Sequence, residues 1–324
     1  MSTNALHPLT LALSLASPAG ARNRLSILIH HRVLPTTDPL QPEVPDCSTF
    51  DWQMRLLARH FNVLPLAEAG RRLREGSLPA RAAAITFDDG YADNLTHALP
   101  ILQAHGLPAT FFIATGFLDG GRMFNDTLIE LARRLPEGRH DLASIGLAQV
   151  EVTDAASRRA LIRTLIGHFK YQPMLERKHR CETLAAQFGL QLPTDLMLTR
   201  AQLRTLHHST GVEIGAHTSH HPILARLDDA QAREEIVAGK QALETLLEQP
   251  VRLFAYPNGR PGKDYLPQHV AMVREAGFDL AVSTAPAAAD RHADPLQLPR
   301  FTPWDGTPLR FGLRLLHTLL RRPA

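Results

Sequence analysis

The chain has 324 residues, enough for one large domain or two small ones. Hydrophobic residues make up 44% and charged residues 21%, an ordinary globular balance that can fill a sizeable core. Lys and Arg number 35 against 32 Asp and Glu, too even a balance for the concentrated basic face that nucleic acid demands, so no nucleic-acid partner is expected. Residues 8–17, PLTLALSLAS, resemble the apolar core of a secretory signal, but no Lys or Arg precedes them. Residues 1–24 are therefore read as a helical lead-in, and a cytoplasmic location, at the inner membrane surface, is expected ahead of secretion. Cys47 and Cys181 lie far apart and form no CxxC pair, which reads as two free thiols. No stretch reaches the ~20 apolar residues of a membrane span.

Residues 25–29, LSILI, suit a buried strand and end at His30-His31-Arg32. A Pro-rich loop follows, then a helix over 49–60 with Ser48 as its expected N-cap and Asp51 completing the box. Residues 82–87, AAAITF, predict a second buried strand that stops at Asp88-Asp89-Gly90. A helix over 94–105 closed by Gly106 and a strand over 109–114 complete a βαβ unit, which implies parallel pairing. Residues 118–208 break this rhythm and read as a helical insertion without strands. Strands are then expected at 212–216, 251–256, 280–283 and 296–298, with helices over 228–248 and 269–276. The tail, 308–324, reads as a basic amphipathic helix, able either to pack as a terminal helix or to lie on a membrane surface.

The repeated order favours an α/β fold, a distorted parallel (β/α) barrel over 25–307, although periodicity alone does not decide between a barrel and an open sheet. His31, Asp88, Asp89, His217, Asn258 and Arg300 all follow the C-terminal ends of expected strands. In a parallel barrel those ends share one face, where active sites are built.

Adjacent carboxylates directly after an apolar strand are costly unless something offsets their charge. In Thr86-Phe87-Asp88-Asp89-Gly90-Tyr91 one carboxylate could bind a metal while the other takes a proton from water; alternatively both could sit in the first turn of a helix. In His217-Thr218-Ser219-His220-His221-Pro222, two imidazoles four residues apart can reach one ion, or belong to a His-rich surface loop. His220 should point elsewhere.

TFDDGY followed by HTSHHP resembles the first two motifs of the polysaccharide deacetylases, carbohydrate esterase family 4. The resemblance covers roughly residues 25–115 and 210–303. It implies hydrolytic removal of acetyl groups from N-acetylated sugars of a polysaccharide or glycan precursor. It also implies Asp88 as general base and Asp89, His217 and His221 as ligands of Zn2+ or another divalent transition metal. The later motifs depart from the pattern. Phe254-Ala255-Tyr256-Pro257-Asn258-Gly259 has Ala255 where the family's Arg stands, and Arg300 in Leu298-Pro299-Arg300 is the candidate replacement. Tyr91, Tyr256, Pro257 and Asn258 are expected at the substrate and oxyanion positions, with the Asn258 N–H binding the oxyanion. No late Leu-x-His supplies an acid. Ile29-His30-His31-Arg32 is similar to the opening of a permuted branch that includes poly-N-acetylglucosamine deacetylases, which makes His31 the candidate acid. An O-acetyl esterase or other amidohydrolase on the same scaffold, or a catalytically silent glycan- or lipid-binding protein, are the rival readings. Oligomeric state is not legible.

Overall fold

The computed structural model describes residues 7–321, and its centre is a curled sheet of parallel strands. In chain order the elements are α1 (His7–Ala16), β1 (Ser26–His30), α2 (Cys47–His60), β2 (Asn62–Val63), α3 (Leu66–Glu75), β3 (Ala82–Phe87), α4 (Leu99–Ala104) and β4 (Ala109–Ile113). A mainly helical stretch follows: α5 (Phe124–Arg134), β5 (Gly138–His140), β6 (Val150–Val152), α6 (Ala155–Phe169), α7 (Met174–Gln187) and α8 (Arg200–His207). The sheet resumes with β7 (Val212–Ala216), α9 (Asp229–Leu247), β8 (Leu253–Ala255), α10 (Pro267–Glu275) and β9 (Leu280–Val282), and α11 (Pro308–Leu320) ends the described chain.

The strands run in the order β1-β3-β4-β7-β8-β9, with β2 beside β3. Every residue of β1, β3 and β4 is buried, which is why these segments read as unbroken apolar runs. Register fixes which ends meet. His30 lies opposite Phe87, Phe87 opposite Phe111, Ile113 opposite Ala216, and Ala255 opposite Val282. The residues just after β1, β3, β7, β8 and β9 therefore share one rim.

The two edges of the sheet are joined by residues 298–301. Leu298 exchanges backbone hydrogen bonds with Ala281 and Ser283 beside β9, and Phe301 does the same with Ile27 and Ile29 of β1. The expected strand at 296–298 is reduced to this pair of single bridges. The fold is the expected distorted (β/α) barrel, with this short segment as its closing stave.

Some local expectations fail for identifiable reasons. The N-cap of α2 is Asp46, whose carboxylate accepts the Thr49 N–H at 2.7 Å, and not Ser48. Asp51 pairs instead with His105 and Arg55. Several capping residues crowd this short stretch, and the chain uses the first. The helix over 94–105 is split into a π-turn over 94–98 and α4. Residues 118–208 are not free of strands: β5 and β6 pair antiparallel. Half of their residues are polar and only Val152 is buried, so they carry no buried-strand signal. The helical stretch has its own apolar cluster, built on Leu128, Leu131, Leu165 and Phe169 and joined by Leu40 from the loop after β1. Cys47 and Cys181 are both free. Among the described residues no helix is long and apolar enough to cross a membrane.

Candidate active site

The site grows from the β3 rim. Asp88 and Asp89 are both buried, at 2% and 5% exposure. Arg300, fully buried in the closing segment, grips Asp88 with two parallel hydrogen bonds, Nη1 to Oδ1 and Nη2 to Oδ2, both 2.7 Å. Its Nε donates to the Ser283 carbonyl and its Nη1 also to the Thr86 hydroxyl, so the guanidinium is held in place on three sides. Burial alone would raise the Asp88 carboxyl. The charges of Arg300 and His217 outweigh it and hold the group below its ordinary value.

Asp89 turns the other way. Its Nε2 neighbours are His217 at 3.4 Å and His221 at 3.5 Å from Oδ1, and the two rings lie edge to face with centroids 4.7 Å apart. One donor atom from each of the three residues falls within 4.8 Å of the others. His217 Nδ1 lies 2.7 Å from the Ala255 carbonyl, which can only accept, so Nδ1 carries the proton and Nε2 presents its lone pair to the site. Burial lowers the His221 pKa to about 4, so that ring is neutral near pH 7. For His217, burial acts downward, but the Asp88 and Asp89 carboxylates raise it overall. Asp89 Oδ1 itself is buried with no hydrogen-bond partner. A buried anionic oxygen without a donor is costly, and two imidazole nitrogens beside it make a cation the fitting complement. The donor set therefore fits a divalent transition metal.

The backbone is bent to build this arrangement. Asp89, Thr218, His221 and Asn258 all adopt left-handed φ values, +80°, +63°, +53° and +57°. Such non-glycine residues are uncommon and tend to mark sites where surrounding structure over-determines the chain. The histidine loop is held from below by α9. Glu235, buried on that helix, accepts the Ser219 and His220 N–H groups and sits 2.8 Å from His220 Nδ1. His220 thus points away from Asp89. Gly239 lets the helix press on the loop, since a Cβ there would lie 2.6 Å from the Thr218 carbonyl carbon. Sequence reading missed Glu235, although a carboxylate among the buried positions Ala232, Ile236 and Leu243 was the available signal.

Above these groups opens a cleft of about 1520 Å³. His31, Asp88, Asp89, His217, His221, Asn258 and Arg300 all line it. The Asn258 N–H has no hydrogen-bond partner among the described residues, while its carbonyl accepts from the Thr284 hydroxyl. Two expected residues fall elsewhere. Tyr91 is buried with its hydroxyl donating to Asp126 at 3.1 Å, and Tyr256 is fully buried, stacked 3.8 Å from Tyr265. Neither side chain lines the cleft, because both rings serve the core packing behind the rim. Pro257 is buried in the turn that follows β8.

A family model described as polysaccharide deacetylase matches residues 75–161 and 184–281. The chain belongs to this family. YxkH of Bacillus subtilis, whose name places it in the same family, is 23% identical over 83% of this chain and 67% of its own length. A Staphylococcus aureus protein named poly-beta-1,6-N-acetyl-D-glucosamine N-deacetylase is 29% identical over 44% of this chain. That match spans only 53% of the staphylococcal protein. Among solved structures, the Streptococcus pyogenes deacetylase PplD in complex with acetate superposes with a TM-score of 0.60 at 20% identity, covering 92% of this chain and 99% of PplD. At that identity the likeness is one of fold. It spans the deacetylase barrel and the helical stretch together.

Proposed function

We propose that this polysaccharide deacetylase is metal-dependent and removes acetyl groups from N-acetylated sugars of a polysaccharide or glycan precursor. The observation that carries the reading is the division of labour between neighbours: Asp88 faces Arg300, and Asp89 faces two imidazole nitrogens. Binding alone has no use for an ionised carboxylate left free beside a cation site. The name of the staphylococcal relative supports the choice of an N-acetylated sugar.

Asp89, His217 and His221 would hold the cation, Zn2+ or another divalent transition metal, which when bound supplies Lewis acidity toward an acetyl carbonyl. Asp88, kept ionised by Arg300, would take a proton from the attacking water. The Asn258 N–H would donate to the oxygen on which negative charge develops. His31, exposed to the cleft, would protonate the leaving amine, because an unprotonated amine departs poorly. Acetate and a free amino sugar result.

The test is acetate release from N-acetylated oligosaccharides by the purified chain, before and after chelation and after zinc is returned. Loss on chelation and recovery with zinc are expected; turnover indifferent to chelator would sink the metal assignment. An O-acetylated panel run alongside separates the ester reading. His31→Ala should slow amide cleavage about 100-fold while leaving an activated acetate ester, whose leaving group needs no proton, much less affected. Equal losses on both would remove His31 as the acid.

A further inference from the structure

The terminal helices carry a second surface that the reaction does not use. Among the described residues seven large apolar side chains stand exposed, and six of them are Leu11, Leu15, Trp304, Leu309, Leu313 and Leu320. All six belong to α1, α11 or the turn leading into α11. On α11 the spacing places Leu309, Leu313 and Leu320 on one outward face, with half-buried Leu316 completing the stripe. Phe311, Leu315 and Leu319 face the other way and are buried in the main core. An ordinary surface helix would have polar residues opposite that buried row.

The row next to the outward leucines is basic. Arg310, Arg314, His317 and Arg321 are all exposed. Arg314 is paired with Asp305, so Arg310 and Arg321 are the side chains whose charge is left for a ligand. α1 packs against α11, and Arg24, in the segment before β1, donates to the Leu319 and Arg321 carbonyls at the end of α11. α1 adds Leu11 and Leu15, one turn apart, and contains no Asp, Glu, Lys or Arg. Neither helix contains a carboxylate.

We infer that α1 and α11 form a docking face for an anionic lipid bilayer, the leucines entering the acyl boundary and the arginines meeting lipid phosphates. Leucines beside arginines on one helix match the two halves of such a surface. A second copy of the chain is a poor occupant, because the same face brought against itself would add only Asp305, already held by Arg314, to receive the arginines. Trp304 and Arg314 also line the cleft, so the docking face begins at the cleft's mouth and would bring it to the bilayer. The inference concerns adhesion and does not depend on the deacetylase reading.

The experiment is sedimentation of the full chain with vesicles of phosphatidylcholine alone and of phosphatidylcholine mixed with phosphatidylglycerol. Binding to the anionic vesicles is expected, with little to the neutral ones, and high salt should weaken it. Leu313→Ser/Leu320→Ser should cut the affinity about tenfold or more. Arg310→Gln and Arg321→Gln should each cut it about fivefold. Circular dichroism melting checks that these exposed substitutions leave the fold intact. A chain that stays in the supernatant with both vesicles, or variants that bind like the parent, would overturn the inference. So would a dimer that the leucine double variant dissociates, since that would assign the face to a second copy.

Discussion

The floor of the cleft is built from buried charges, whereas the helical stretch between β4 and β7 is built around aliphatic side chains. On the floor, Asp88, Asp89, His217 and Arg300 are all buried, Asp88 and Arg300 orient each other, the Ala255 carbonyl orients His217, and Asp89 stands beside the two imidazoles. In the helical stretch, Leu128, Leu131, Leu161, Leu165 and Phe169 form the centre, and most arginines hold helix ends or nearby carboxylates at the margin. The exception is Asp126, whose carboxyl burial pushes up to about 7 and whose partner is the Tyr91 hydroxyl behind the rim. The helical stretch offers the cleft only Asn125, Lys170 and Tyr171. The contrast sets a floor whose charged groups are fixed by the register of the sheet against a helical stretch with an aliphatic core of its own; we propose that the helices serve recognition of the substrate's distal parts.

The largest effects should come from the floor. Asp88→Asn is expected to keep its bound metal yet lose about 100- to 10,000-fold in turnover, the usual worth of a positioned general base. His217→Ala should lose the metal itself. Metal analysis of both proteins beside acetate release separates the two roles, and an active Asp88→Asn enzyme would remove Asp88 as the base. Next comes the closing segment. Arg300→Met leaves Asp88 buried and unpaired, which should cost about 3–5 kcal/mol of stability, read as a lowered denaturation midpoint. If the midpoint does not move, Asp88 has another counter-charge and the floor is less tightly built than the distances imply.

How much of this was legible beforehand depends on the range of the information. β1, β3 and β4 are short apolar runs, visible because both faces are buried, and β1 closes on His30 while Asp88 follows β3 and His217 follows β7. The pairing of Asp88 with Arg300 spans 212 positions and rests on residues 298–301 closing the sheet; periodicity does not hold that fact, and only the family resemblance in Leu298-Pro299-Arg300 pointed to Arg300. Motif adjacency also misled. Tyr91 and Tyr256 flank the site residues in sequence, but their neighbours already occupy the rim, and the rings turn to the core. The helix α3 is absent from the elements expected from sequence, although Leu66, Ala69 and Leu73 carry its amphipathic spacing. Asp46 and not Ser48 caps α2, a choice that capping preference alone does not make among nearby candidates.

An effect that is smaller over any one pH unit separates the sheet from the helices. His30, the last residue of β1, is packed between Phe50 and Phe87, and its Nε2 has no partner. Burial first, and the charge of His31 second, lower its pKa from 6.5 to about 3. Between those values the unfolded chain binds a proton that the folded chain refuses. Stability should therefore fall as pH drops below about 6.5 and level off near 3, with a slope approaching about 1.4 kcal/mol per pH unit. His30→Phe should flatten that slope, measured as denaturation midpoints across the range. An unchanged slope would mean that the acid sensitivity lies in other groups.

The smallest effect is the one that tests the comparison most directly. Tyr171 is 48% exposed, lies at the end of α6, and lines both the main cleft and a neighbouring cavity of about 740 Å³. Arg226 lies 5.4 Å from its ring. If the helices serve recognition, Tyr171→Ala should raise KM for a long N-acetylated oligosaccharide about fivefold, the usual worth of one aromatic anchor. The kcat should stay constant, and so should the rate on a single N-acetylated sugar too short to reach the ring. A fall in kcat on the single sugar would mean that the helical stretch shapes the reacting geometry as well. The division between a sheet that reacts and helices that recognise would then fail at the one aromatic side chain both cavities share.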